Sequence, residues 1–160
     1  MNGKAAVVTG ASTGIGYAVV EQLSASGWQV WGGTRSDSDA SKLEMSVGVS
    51  SLQIEVTDEY SVKTAFDEVL ASRGSSGLDL LVVNAGIVIG GPLEYVSQSA
   101  WKQQLDVNVV GAALSIRYAL PLLEMCNSSR IIVVGSINSR IGLPLLSPYA
   151  ASKHALVGLL

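Results

Sequence analysis

The 160-residue sequence contains one cysteine, one histidine and one phenylalanine. A lone Cys126 leaves no intrachain disulfide and no Cys-x-x-Cys pair, so a reducing compartment is the expected setting. One cysteine and one histidine also make no credible metal site. Ten Lys and Arg against thirteen Asp and Glu leave a net charge of −3, and the basic residues form no cluster. That argues against a nucleic-acid or anionic-membrane partner. The start, MNGKAAVVTGAS, has no charged segment leading into an apolar core, so no signal peptide is expected. Apolar runs are broken by Asp, Asn and Gly, which predicts no membrane segment and a cytoplasmic protein. Repeats, low-complexity tracts and linkers are lacking too, and the length suits a single domain over 1–160.

What is present is apolar: 48% of residues are hydrophobic and only 14% charged. Strands of a parallel sheet, buried on both faces, read as continuous apolar runs of this kind. A chain whose apolar surface is covered by a further segment would read the same way. Apolar runs alternate with segments of helical period. Strands are predicted at 4–9, 28–34, 51–56, 78–86 and 130–136. Helices are predicted at 15–26, briefly within 36–46, at 58–73, from about Gln98 to Met125 with Pro121 bending or ending a turn, and after Pro148. This order predicts an α/β fold: a doubly wound, Rossmann-type parallel sheet with right-handed crossovers. The pattern stops after the fifth strand and the start of the following helix.

The stretch VVTGASTGIGYAVV joins the first strand to the first helix. Such a turn presents backbone N–H groups and a helix N-terminus to a phosphate. Gly10 suits the tight turn, Gly14 the approach of a pyrophosphate, and Gly16 close packing of helix on sheet. Ser12 and Thr13 add hydroxyls. The spacing, Gly-x-x-x-Gly-x-Gly, differs from the commoner Gly-x-Gly-x-x-Gly. An acid at the end of the second strand would hold a ribose 2′-hydroxyl. Here Thr34 and Arg35 stand there, and Arg35 suits a 2′-phosphate. NADP(H) is therefore favoured, with NAD(H) as the alternative.

Tyr149 and Lys153, four apart, share a helix face. A nearby ammonium favours the phenolate of a tyrosine, which could then exchange a proton with an alcohol or carbonyl oxygen. Ser136, where the fifth strand leaves the sheet, the segment Asn84–Gly86 after the fourth strand, and the glycine turn all fall at the strands' carboxyl ends, where open sheets bind ligands.

Together these residues give the chain a resemblance to the short-chain dehydrogenase/reductase family. TGASTGIG is similar to its cofactor turn, VNAG to its Asn-Ala-Gly segment, DVNVVG to its helix asparagine, VGSINS to its serine and YAASK to its Tyr-x-x-x-Lys, in order along the whole chain. The resemblance implies roles. Tyr149 would be the general acid/base. Lys153 would tune it and bind the nicotinamide ribose, Ser136 would bond the substrate oxygen, and Asn108 would hold a water in a relay to Lys153. Gly10, Ser12, Thr13, Gly14, Ile15 and Gly16, with Asn84, Ala85 and Gly86, would hold the cofactor. It implies hydride transfer between nicotinamide and an alcohol or ketone, and a homo-oligomer once the fold is complete, paired through the long helix and the last one.

Three departures stand out. Val83 replaces an asparagine common in the family. Glu55-Val56 replaces the usual Asp-Val that meets the adenine. Family members also continue well beyond this point, with further strands and a substrate-binding part. A non-catalytic dinucleotide-binding fragment, or a truncated regulatory partner of a full-length relative, is therefore the alternative to an enzyme, and a stretch of a longer enzyme is a third possibility. His154 is expected to be an ordinary helix residue, Cys126 a packed or helix-end thiol, and Trp28, Trp31 and Trp101 packing residues. Ile141, Leu143, Leu145 and Leu146 would either wall a lipophilic substrate, such as a retinoid or steroid, or pack beneath a lid.

Overall fold

The computed structural model describes residues 3–160. Five strands form one sheet: β1 (Ala5–Val8), β2 (Gln29–Thr34), β3 (Ser50–Gln53), β4 (Leu80–Val83) and β5 (Arg130–Val133). Their spatial order is β3-β2-β1-β4-β5, and every pairing is parallel. The chain leaves β1 toward one side of the sheet and resumes on the other at β4. That switch point opens a crevice at the carboxyl ends of β1 and β4.

Burial explains the layers. All four residues of β1 have no exposed surface, as a central strand covered on both faces requires. Ala5 and Val7 face one core with Trp31, Leu52, Phe66, Leu81 and Leu122. Ala6 and Val8 face the other with Val20, Val30, Leu43 and Val82. The second face is covered by α1 (Gly14–Ala25) and α2 (Asp37–Val47). The first is covered by α3 (Glu59–Arg73) and α5 (Gly111–Leu123), with Leu156 of α6 (Ser147–Leu159) reaching the same core. Burying one such leucine is worth about 1.5–3 kcal/mol. At the opposite end of the strands, Arg73 is buried and donates to Gly77 O, Gln29 Oε1 and Gly3 O.

Several expected boundaries shift. β3 ends at Gln53 rather than Val56, because its ladder with β2 closes at Thr34↔Gln53 and only Ile54 N–H continues it, to Thr34 O. Residues 54–56 therefore turn out over the crevice. The expected strand over 78–86 is paired only over Leu80–Val83, so Asn84–Gly86 are free of the ladder. Pro121 neither ends nor interrupts α5.

The helix expected from Gln98 is in two parts: α4 (Gln98–Leu105), a single π-helical turn at Asp106–Val110, then α5. Together they make one helical run of 26 residues, Gln98–Leu123, in which an 18-residue window reaches a mean hydropathy of 1.2, long and apolar enough by length and composition alone to cross a membrane. The Asp, Asn and Gly that break the run in sequence lie within the helix, and a helix of a protein core passes the same measure. In this fold the run packs on the sheet through Ala112, Ala119, Leu122 and Leu123 and buries the polar side chains of Gln104, Asn108 and Ser115.

Candidate active site

The crevice at the switch point holds a cavity of about 280 Å³. Gly10, Ser12, Thr13 and Ile15 line it from the turn after β1, Thr34 and Arg35 from the end of β2, Glu55 and Val56 from beyond β3, and Asn84, Ala85 and Gly86 from beyond β4. Four separate expectations from sequence thus meet at one opening. Gly14 and Gly16 are not among its lining residues; Gly16 packs against Gly10 and Asn84, and Gly14 is exposed at the start of α1.

The turn is built by close approach. Gly10 has φ +65°, and a Cβ there would stand 2.8 Å from Ala85 Cα. A Cβ on Gly16 would run into Gly10 O and stand 2.5 Å from Asn84 Nδ2. Asn84 ties the two strand ends together, donating from Nδ2 to Thr9 O (3.0 Å) and Gly10 O (2.8 Å). Thr9 answers with Oγ1, which accepts from the N–H groups of Asn84 (3.0 Å) and Ala85 (3.1 Å).

The donor set suits a dinucleotide. Thr13 precedes α1 without a side-chain cap, and the first turn of α1 carries no acid. Its N–H groups and positive dipole end are left for an anion. Thr34 is 2% exposed, and among the described residues its Oγ1 is the buried side-chain atom without a hydrogen-bond partner. A hydroxyl so placed normally has a ligand or water to satisfy it. Arg35 is exposed beside it. Glu55 Oε1 accepts from the N–H (3.1 Å) and hydroxyl (2.9 Å) of Thr57, which fixes its carboxylate at the rim. Asp37 and Asp39 lie in the first turn of α2, and Asp39 is engaged by the hydroxyl of Ser36 and by Lys42.

The proton-handling candidates gather on the β5 side. None of Asn108, Ser136, Tyr149 and Lys153 lines the cavity itself. Ser136 is half-buried, and its Oγ accepts from Asn138 N–H (3.1 Å). Tyr149 is half-buried in the first turn of α6. Lys153 is 6% exposed, stands 5.8 Å from the centroid of the Tyr149 ring and donates to Val134 O (2.8 Å) just past β5. Burial pushes the Lys153 ammonium below the usual lysine range. Asn108, at the centre of the π-turn, is 2% exposed. Its Oδ1 accepts from Ile87 N–H (2.8 Å), and its Nδ2 donates to Ile87 O (3.0 Å) and to Ser152 Oγ (3.0 Å). Ser152 in turn donates to Tyr149 O (2.7 Å). A π-turn is a frequent device for aiming a functional side chain. Here it turns Asn108 inward toward α6.

Three participants were missed from sequence: Thr9, Ser152 and Gln104. Gln104 has no exposed surface and bonds the backbone at Ile87 and Ile89. The only available signal was its place four residues before Asn108. Of the other expectations, His154 bonds Ala150 O, Trp31 is in the core on one face of the sheet, and Trp28 packs against the core on the other, with Lys4 Nζ 5.3 Å from its ring centroid. Trp101 is half-buried. Cys126 Sγ donates to Ser76 O, and burial raises its thiol. Ile141, Leu143 and Leu145 are 52%, 44% and 57% exposed around the mouth of the β5 side. Among the described residues no group of three or more metal-ligating side chains occurs.

Comparison with known proteins agrees with this geometry. The family model described as short chain dehydrogenase matches residues 4–160. The uncharacterized oxidoreductase YusZ of Bacillus subtilis is 36% identical over 99% of this chain and 58% of its own length. The NADPH-dependent 3-dehydrocapnine reductase of Ornithobacterium rhinotracheale is 35% identical over 94% of this chain and 55% of its own. The ligand-free aldohexose dehydrogenase of Thermoplasma acidophilum superposes with a TM-score of 0.89 at 30% identity, over 99% of this chain and 59% of that one. The chain thus spans somewhat more than half the length of these relatives.

Proposed function

The chain belongs to the short-chain dehydrogenase family, and from that premise we propose that it is the nicotinamide-binding and proton-transferring portion of an oxidoreductase that interconverts an alcohol and a ketone. The observation that carries this reading is the uncapped N-terminus of α1 opening on the same crevice as Thr34, Arg35 and Asn84–Gly86, with Tyr149 and Lys153 beside it.

When bound, the dinucleotide supplies or accepts the hydride at the substrate carbon. The chain's residues supply the rest. N–H groups at the start of α1, with the hydroxyls of Ser12 and Thr13, hold the phosphates. Glu55, with Val56, meets the adenine, and Asn84, Ala85 and Gly86 form the inner wall. In reduction, Ser136 would donate a hydrogen bond to the substrate oxygen and Tyr149 would give its hydroxyl proton to that oxygen. The ammonium of Lys153 offsets the negative charge left on the Tyr149 oxygen. Asn108 holds the water that returns a proton through Lys153. Oxidation runs these steps in reverse.

NADP(H) is the favoured cofactor. Arg35 suits a 2′-phosphate, and the orphaned Thr34 hydroxyl offers it a neutral donor where an acid would repel it. NAD(H) is the alternative, supported by Asp37 and Asp39 nearby. The exposed Ile141, Leu143 and Leu145 favour a lipophilic substrate of retinoid or steroid kind. Exposed Val110 and Leu120 on the long helical run and Val157 on α6 favour pairing of two copies through these helices. The test is a titration with NADPH and NADH followed by turnover of a ketone panel. Binding of neither cofactor would refute the reading.

A second reading is favoured by one observation, that the four proton-handling residues stand outside the cavity lining. On it the chain is a dinucleotide-binding module or a regulatory partner without turnover of its own. Cofactor binding without turnover of any ketone would select it.

A further inference from the structure

The segment from Ile87 to Gly91 follows β4 yet joins no strand. Its backbone groups are gripped by side chains from the helix beneath. Asn108 takes Ile87 on both sides, as above. Gln104 adds the outer grip: Nε2 donates to Ile87 O (2.6 Å), and Oε1 accepts from Ile89 N–H (2.6 Å). One carboxamide thus mimics a rung of sheet ladder. A fully buried glutamine is costly unless both of its polar atoms are paired, and both are paired to this segment alone.

The segment in turn seats the start of α6. Gly91 N–H donates to Leu145 O (2.7 Å). At Gly90 a Cβ would stand 2.9 Å from Leu145 O and 3.0 Å from Leu146 Cδ2, so the two stretches are in contact without slack. Leu145 has φ 65°, a left-handed conformation that a leucine keeps only when its surroundings hold it there. Leu146 O then accepts from Ala150 N–H (2.7 Å) in the first turn of α6, next to Tyr149.

We propose that Gln104 is a positioning residue: through Ile87 and Ile89 it fixes the platform against which the Leu145–Leu146 turn, and with it Tyr149, is seated. The catalytic consequence rests on the dehydrogenase reading above; the mechanical coupling does not.

The test is Gln104→Met in the full chain, which nearly keeps the volume and removes both bonds. Amide exchange is expected to quicken at Ile89, and also at Gly91 and Ala150. NADPH affinity should stay within about twofold, while kcat/KM for a ketone falls about tenfold. A residue that only packs would lower the melting temperature and quicken Ile89 alone, leaving Gly91, Ala150 and kcat/KM as in the wild type; that result overturns the proposal. Gly90→Ala presses on the Leu145 turn from the segment's own side and should give the same kinetic loss. If Gln104→Met does not fold, unchanged kcat/KM in Gly90→Ala overturns the proposal. If the wild type turns over no ketone, the dehydrogenase reading fails by itself, and exchange at Gly91 and Ala150 still decides the coupling.

Discussion

Substituting alanine at each glycine of the first turn separates the effect of space from the effect of backbone conformation. Gly14 has φ +58° with nothing within 4 Å of a built Cβ. Alanine there costs only the left-handed penalty, roughly 1–2 kcal/mol. Gly16 is the opposite: a Cβ would meet Gly10 O and the Asn84 Nδ2 that bonds it. Relieving that contact either shifts α1 outward or breaks the Asn84–Gly10 hydrogen bond. Overpacking costs about 1–3 kcal/mol, and the lost bond about 1 kcal/mol more. Because α1 itself moves, its N–H groups no longer meet the phosphates, and cofactor affinity should fall about 10–100-fold. Gly14→Ala leaves α1 and the Asn84–Gly10 hydrogen bond in place, so the affinity it loses comes only from a Cβ facing the pyrophosphate and should be smaller than in Gly16→Ala. The assays are thermal unfolding and NADPH fluorescence titration on both variants. Equal loss of affinity in the two, or wild-type affinity in Gly16→Ala, would refute the steric reasoning.

Other perturbations address the remaining parts of the site. Tyr149→Phe should reduce turnover by about 10²–10⁴-fold, the typical share of a general acid, with NADPH affinity unchanged by titration. If NADP(H) is the cofactor as proposed, Thr34→Asp would place a carboxylate where its 2′-phosphate would lie and should shift the ratio of kcat/KM values from NADPH toward NADH by at least about tenfold. Burial holds Lys153 below its ordinary 10.5, so between its folded pKa and 10.5 the unfolded chain binds more protons. Stability therefore rises with pH across that window. Measured by urea unfolding, the wild type should gain on Lys153→Met as pH rises toward 10.5; a constant or shrinking difference would count against burial as the cause.

Most of the architecture was legible because periodicity reports burial. β1, β2 and β4 are apolar on both faces, and the glycines mark where chain meets chain. Strand ends were less legible. Ile54 and Val56 are as apolar as any strand residue, yet the ladder ends at Gln53; Val56 is buried by the helix beyond, where Gly111 packs directly on it, and Ile54 lies against Gly33 of β2. The site was readable as motif residues but not as a network. Gln104 and Ser152 are polar residues in helices, a pattern that ordinarily marks solvent. Only the π-turn, which no periodicity announces, together with the path of the unpaired segment at Ile87–Ile89, makes them interior. The orphaned hydroxyl of Thr34 was likewise invisible, because its significance is the absence of a partner in the fold.

On the proposed function, dinucleotide binding in the crevice is joined to proton transfer by Tyr149 standing outside its lining. The most direct measurement uses NADPH deuterated at the nicotinamide C4 with the full chain and a lipophilic ketone, comparing wild type with Tyr149→Phe. Expected is deuterium at the carbinol carbon of the product with wild-type protein, and its near-complete loss in Tyr149→Phe at unchanged cofactor affinity. Deuterium transfer by Tyr149→Phe at the wild-type rate, or product alcohol without deuterium, would contradict it.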